Sequence, residues 1–179
     1  ALSRIAELDV NHTCLILITV NAYLQRLPPL SFFKGMSVNL KLNKSYPLSE
    51  LLLTLENGGY FRTDTVREAG EFAVRGGIID IYPAGRDEPL RLDFFGDELE
   101  SVKRFDPITQ RSIDSIEAAK LSPVAEIILN SESINRFKSS YREAFGAKAS
   151  NDQIYQTIAE GRYYVGMEHW LPFFYNRLD

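Results

Sequence analysis

The spacing of apolar positions changes twice along this chain, and the changes divide it. In the first stretch Leu2, Ile5 and Leu8 have helical spacing, and Leu15 to Val20 is an apolar run of strand length. Such a run predicts a strand buried on both faces, as in an α/β sheet. Ala22 to Leu27 predicts one or two helical turns, stopped by Pro28-Pro29. A helix end, one strand and a short helix are too little to close a sheet, so residues 1–33 read as the edge of a larger domain.

From about Phe33 the period becomes that of strands. Val38, Leu40 and Leu42 alternate with Asn39 and Lys41, which predicts a half-buried strand. Pro47 suits a helix start, Leu48, Leu51, Leu52 and Leu55 line one helical face, and Gly58-Gly59 ends it. Phe72 and Val74 then face one way, with Glu71, Ala73 and Arg75 facing the other. The parity reverses in Ile78-Ile79-Asp80-Ile81. A bulge at Gly76-Gly77 within one strand, Gly70 to Ile81, would reconcile the two halves. Pro83 to Pro89 is a turn, and Leu90, Leu92 and Phe94 alternate behind it. Residues 34–125 therefore predict a β-rich, antiparallel domain with one packed helix.

In residues 126–179 the helical period returns. Ile134, Phe137, Tyr141 and Phe145 make one stripe, with Asn130 or Ser131 as its cap and Gly146 as its end. A polar loop over Ala147 to Asp152, a short helix around Ile154 and Ile158, and the aromatic tail Trp170 to Tyr175 follow. The fold class is thus α/β and α+β, an inserted β-rich domain flanked by pieces of an α/β domain.

Charge changes the picture in one respect. The 20 Lys and Arg against 24 Asp and Glu, over 179 residues, exclude a basic domain held to nucleic acid by net charge. The single Cys14 allows no internal disulfide, and its apolar surroundings predict a buried thiol rather than a nucleophile. A cytoplasmic location, with no membrane partner, is the expectation. The start has neither an initiator Met nor a signal-peptide pattern, so the chain reads as a piece of something longer.

Candidate chemistry is sparse. Lys44-Ser45 and Lys138-Ser139 follow Asn43 and Phe137 rather than glycine, so neither builds a phosphate loop. His12 and His169 are far apart, and His169 in its aromatic segment predicts a packed imidazole. Asp93, Asp97, Glu98 and Glu100 read as a solvated turn rather than a cation site, and nothing fixes a catalytic separation between them and Asp80. No enzyme, cofactor or metal signature emerges for this chain. Arg62, Arg67 and Arg75 lie in or beside strands. A hairpin over Thr63 to Val74 would bring Arg62 and Arg75 onto neighbouring strands, either as an interface pair suited to gripping carboxylates or as ordinary exposed charges.

The runs Gly59-Tyr60-Phe61-Arg62-Thr63-Asp64 and Gly70-Glu71-Phe72-Ala73-Val74-Arg75-Gly76-Gly77, continuing through Ile78 to Pro83, decide more. With Arg91 to Ser101, Phe105 to Ser112 and Tyr164 to Tyr175, they resemble the UvrB-homology module of the transcription-repair coupling factor family. UvrB itself usually carries a second arginine where this chain has Ala73, and Thr-Gly where it has Thr109-Gln110. The resemblance implies a β-rich insertion in a helicase-like α/β domain that has lost its nucleotide site. It further implies docking onto the damage-recognition ATPase UvrA, with Arg62 and Arg75 as contacts and Asp64 and Glu71 as weaker candidates by proximity.

The parent protein would be an ATP-dependent DNA translocase using ATP and Mg, with RNA polymerase and double-stranded DNA as further partners. The function so implied is recruitment of UvrA in transcription-coupled nucleotide excision repair. The alternative is a module that binds damaged DNA directly, against which the acidic composition argues. On this reading Arg75 is an exposed strand charge whose substitution leaves stability nearly intact.

Overall fold

The alternation around Leu40 becomes strand β1 (Val38–Lys41) in a computed structural model of the chain, which describes residues 13, 15–29, 31–32 and 37–178. The described residues form two compact units, one over 37–125 and one comprising the remainder. The expectations for Leu2, Ile5, Leu8, His12 and Cys14 lie outside the described residues.

In the first unit, β1 pairs antiparallel with β8 (Ala118–Leu121). Between them run helix α2 (Leu48–Asn57, α1 being Val20–Leu24 of the other unit) and a six-stranded sheet. Its strands are β2 (Phe61–Arg62), β3 (Glu71–Arg75), β4 (Ile78–Ile81), β5 (Leu90–Phe95), β6 (Glu98–Phe105) and β7 (Ser112–Ile116), lying side by side in chain order. One face supplies Phe72, Ile79, Ile81, Leu90, Leu92 and Val102, all fully buried. Leu51 and Leu55 of α2 and Leu40 of β1 join them in one core. Leu51 and Leu55 are four residues apart on one helical face, so α2 buries that face and leaves Leu53 exposed.

The start of α2 is satisfied from a distance. Pro47 offers no side-chain cap, and the Asp97 carboxylate, in the turn between β5 and β6, accepts from the Leu48 amide at 3.1 Å. The Asp97 carbonyl also accepts from Tyr46 N at 2.7 Å. A carboxylate at this end neutralises an orphan amide and suits the helix dipole. The acidic turn is therefore structural at Asp97.

Two local expectations need correction. Gly76-Gly77 is no bulge but the two-residue turn of a hairpin, with Arg75 opposite Ile78 and Phe72 opposite Ile81. A turn of two residues pairs even with odd positions, so it reverses parity just as a bulge does. The two glycines serve different needs. Gly76 takes φ 61° with open space around it, whereas a Cβ on Gly77 would lie 2.4 Å from the Phe94 carbonyl oxygen. The connection from β2 to β3 is not a hairpin either: the two strands are parallel, with Arg62 opposite Phe72. The intervening loop, 63–70, crosses over instead of folding straight back.

In the second unit, α3 (Ser131–Phe145) begins with a reciprocal cap between Asn130 and Ser133, whose side chains each accept from the other's amide. Phe137 and Tyr141 are buried among aromatic rings, Phe137 stacking on Phe174 at 4.8 Å. A 3-10 helix (Ala147–Asn151) stands where a loop was expected. Helix α4 (Gln153–Ala159) is capped by Asp152, which also accepts from the Tyr141 hydroxyl at 2.7 Å.

Leu15 to Val20 is not a buried strand. Residues 15–19 are irregular and exposed, Leu15 and Leu17 at 85%, and α1 starts at Val20. Among the described residues this unit has no strand. A strand buried on both faces needs ladder partners, and none is present there to pair it.

The glycine geometry yields a stability ranking. Gly77→Ala is expected to cost about 1–3 kcal/mol through overpacking against the β5 backbone. Gly76→Asn, strained only by its left-handed backbone, should cost less in urea melts, since Asn tolerates that region. Tyr60 gives a pH signature. Its hydroxyl donates to the Ser122 carbonyl at 2.7 Å, and burial pushes its pKa from 10 up to about 12. The unfolded chain therefore loses this proton first as pH rises, and the stability is fully present below pH 10 and lost towards pH 12. Between pH 9 and 11 the loss from this group is about 1 kcal/mol, and urea melts of Tyr60→Phe should show a correspondingly shallower decline.

Candidate partner-binding face

The second face of the six-stranded sheet is ionic where the first is apolar. Register places Ala73, Asp80, Arg91 and Lys103 in one row across β3 to β6. Asp80 is 1% exposed, and an isolated carboxylate so placed would be prohibitively costly. Two guanidinium groups compensate it. Arg91 closes a two-pronged fork on it, Nε to Oδ1 at 2.7 Å and Nη2 to Oδ2 at 2.9 Å. Arg75 donates its Nη2 to the same Oδ2.

Arg91 is held from further sides. Its guanidinium lies over the Phe105 ring at 4.9 Å, and Nη1 donates to the Gln110 carbonyl at 3.3 Å. The bonds to Asp80 raise its already high pKa against the opposing effect of burial, so it is charged throughout the working range. Val66, Ala73 and Phe105 are buried beside the cluster, with Tyr82 packed against them. Gln110 ties the same corner: Nε2 donates to the Val66 carbonyl at 3.0 Å and to the Pro107 carbonyl at 2.7 Å. Gln110 does so from a left-handed backbone, φ 61°, that few side chains adopt.

Arg75 differs from Arg91 in exposure. Its side chain is 53% exposed against 21% for Arg91. One carboxylate between two guanidinium groups leaves one net positive charge, presented at the Arg75 end. Arg62 is exposed on the neighbouring strand, but it stands opposite Phe72, three positions before Arg75 and of the other parity. That is about 10 Å along the strand. Asp64 is exposed in the crossover loop. The Glu71 carboxylate is engaged locally, accepting from the Arg67 amide at 2.7 Å and the Glu68 amide at 3.0 Å. The structure thus sets Arg62 beside the start of β3, where Glu71 lies, and places Arg75 at its end.

His169, expected to be packed, is exposed. Among the described residues no group of three or more His, Cys, Asp or Glu could hold a metal ion.

The chain matches the family described as the UvrB interaction domain over residues 38–126. It is 34% identical over 175 residues to the transcription-repair-coupling factor of Escherichia coli strain K12, and 34% identical over 175 residues to that of Haemophilus influenzae. These alignments cover 98% and 97% of this chain, and 15% of each relative. The factor of Rickettsia typhi is 36% identical over 173 residues, again 15% of its length. The chain belongs to the transcription-repair-coupling factor family.

The UvrB interaction domain of this coupling-factor chain falls on the sheet-bearing unit and so contains the whole Asp80 cluster. Sequence reasoning had singled out Arg75 but missed Asp80 and Arg91 as its companions, and missed Gln110 as a tie. The available signal was a lone acid in Ile78-Ile79-Asp80-Ile81, a position where a buried charge must have a partner. The expectation that substituting Arg75 leaves stability nearly intact is revised for the same reason: Arg75 pairs with buried Asp80, and a change to Glu would set a second carboxylate against it. Arg91 is the more critical member. Arg91→Ala should destabilise the chain by about 3–5 kcal/mol, the usual cost of removing one partner of a buried ion pair. Arg75→Ala should cost clearly less, because Arg75 is half exposed. Chemical denaturation of the two variants side by side checks the order.

Proposed function

We propose that this domain recruits UvrA in transcription-coupled nucleotide excision repair, and that it docks through the face ending in Arg75. The observation that carries this reading is the half-exposed Arg75 guanidinium, anchored from beneath by a buried carboxylate and bearing the cluster's net charge. An anchored, partly desolvated arginine suits a partner's carboxylate, since its planar fork matches that group in two bonds. Arg62, exposed on the parallel strand but of the other parity and about 10 Å along the strand from Arg75, is a separate and secondary contact on this reading, with Asp64 exposed in the loop that follows it. The membership in a family described as the UvrB interaction domain supports a protein partner over a nucleic acid.

The chain spans about 15% of the length of the relatives it matches. The longer protein is proposed to act in the cytoplasm as an ATP- and Mg-dependent DNA translocase with RNA polymerase and double-stranded DNA as its other partners.

Titration calorimetry of the chain with UvrA tests the proposal. Arg75→Ala is expected to weaken binding by at least about tenfold, and more where the pair it forms is fully desolvated. Raising the salt concentration should weaken the wild-type complex further. Unchanged affinity in the folded variant would remove Arg75 from the interface.

A further inference from the structure

We propose that Asp80 is a positioning residue for docking: it holds the Arg75 guanidinium in the orientation that receives a partner carboxylate. This rests on the reading that Arg75 touches the partner, and it assigns a role to a residue that no partner can reach. Asp80 lies between Ile79 and Ile81 and beside the apolar cluster of Val66, Ala73 and Phe105. A buried ion group is frequently no more stabilising than apolar residues filling the same volume. Stability alone is therefore a weak reason for a carboxylate at this position, and the geometry supplies a better one.

Each link in that geometry is fixed by the one before. Arg91 is clamped by the Phe105 ring and the Gln110 carbonyl. Its fork fixes both oxygens of Asp80, and Oδ2 in turn fixes Nη2 of Arg75. Arg75 is the last residue of β3 before the Gly76-Gly77 turn, where an unanchored side chain would sample many rotamers. An arginine loses much rotamer freedom when it is immobilised at an interface, and one already anchored has less to lose. The anchor also sets the chemistry of the partner. One carboxylate under two guanidinium groups leaves a single positive charge, which one further carboxylate neutralises. A cation at position 75 that satisfied Asp80 through a single point charge could not present further N–H donors in a fixed planar fork to the partner.

A double-mutant cycle between Asp80→Asn and Arg75→Ala, read by calorimetry with UvrA, tests this. Asp80→Asn is expected to weaken binding on the order of tenfold in the wild-type background and by less than about twofold in the Arg75→Ala background. An equal loss in both backgrounds would mean that Asp80 acts through the fold or through Arg91, and would overturn the proposal. No loss from Asp80→Asn, with Arg75→Ala still weakening binding, would also overturn it while leaving the docking reading in place. No effect of Arg75→Ala would overturn the docking reading and this proposal with it. Arg75→Lys covers the case in which Asp80→Asn does not fold, since it leaves the Asp80–Arg91 fork untouched. It keeps the charge and loses the fork, so it should bind about as weakly as Arg75→Ala. Wild-type affinity in Arg75→Lys would overturn the proposal.

Discussion

A carboxylate removed from water on one face of a sheet constrains everything near it. Asp80 is acceptable there because Arg91 meets both of its oxygens and Arg75 shares one of them. Arg91 must then be held in place, which the Phe105 ring and the Gln110 carbonyl do. Gln110 in turn ties the Val66 carbonyl and so the crossover loop between β2 and β3. The chain of dependence ends at the surface, on the Arg75 guanidinium, with one bond inward to Asp80 and about half of its side chain outward. The same constraint that makes the interior tolerable gives the exterior its charge.

The two faces of the sheet divide the labour. The apolar face, closed by α2 and by β1 with β8, supplies the burial that stabilises the unit. The ionic face is covered near Val66 and Phe105, and Arg75 on it stays half exposed. Strand positions are set by the turns: Gly77 lets β4 approach β5, and Asp97 couples the β5–β6 turn to the start of α2. The proposed docking face is therefore built on strands whose register is fixed from the other side, a rigid platform of the kind that holds a docking geometry.

Much of this was legible in the residues. The period of two around Leu90, Leu92 and Phe94, the stripe Leu51 and Leu55, and the cap at Asn130 each lie in the structure where their patterns put them. These are local signals, decided by neighbours within one element. What was not legible depended on pairing across the chain. The bulge and hairpin readings of Gly76-Gly77 produce the same parity, so alternation could not separate them. The parallel pairing of β2 with β3 is a choice of crossover that no local period records. Arg75 was legible as a strand charge, but its partner Asp80 meets it only after the hairpin closes, and Arg91 only when β5 joins β4. Leu15 to Val20 carries strand character with no described strand to receive it, which is why an apolar run alone misled.

The central claim is that Asp80 immobilises the guanidinium groups above it. Hydrogen exchange at arginine Nε, followed by NMR on the intact chain, tests it most directly. Arg91 Nε, bonded to Asp80 Oδ1 and packed over Phe105, should exchange at least about tenfold more slowly than Nε of exposed Arg62. Exchange at Arg91 as fast as at Arg62 in the folded chain would contradict the account.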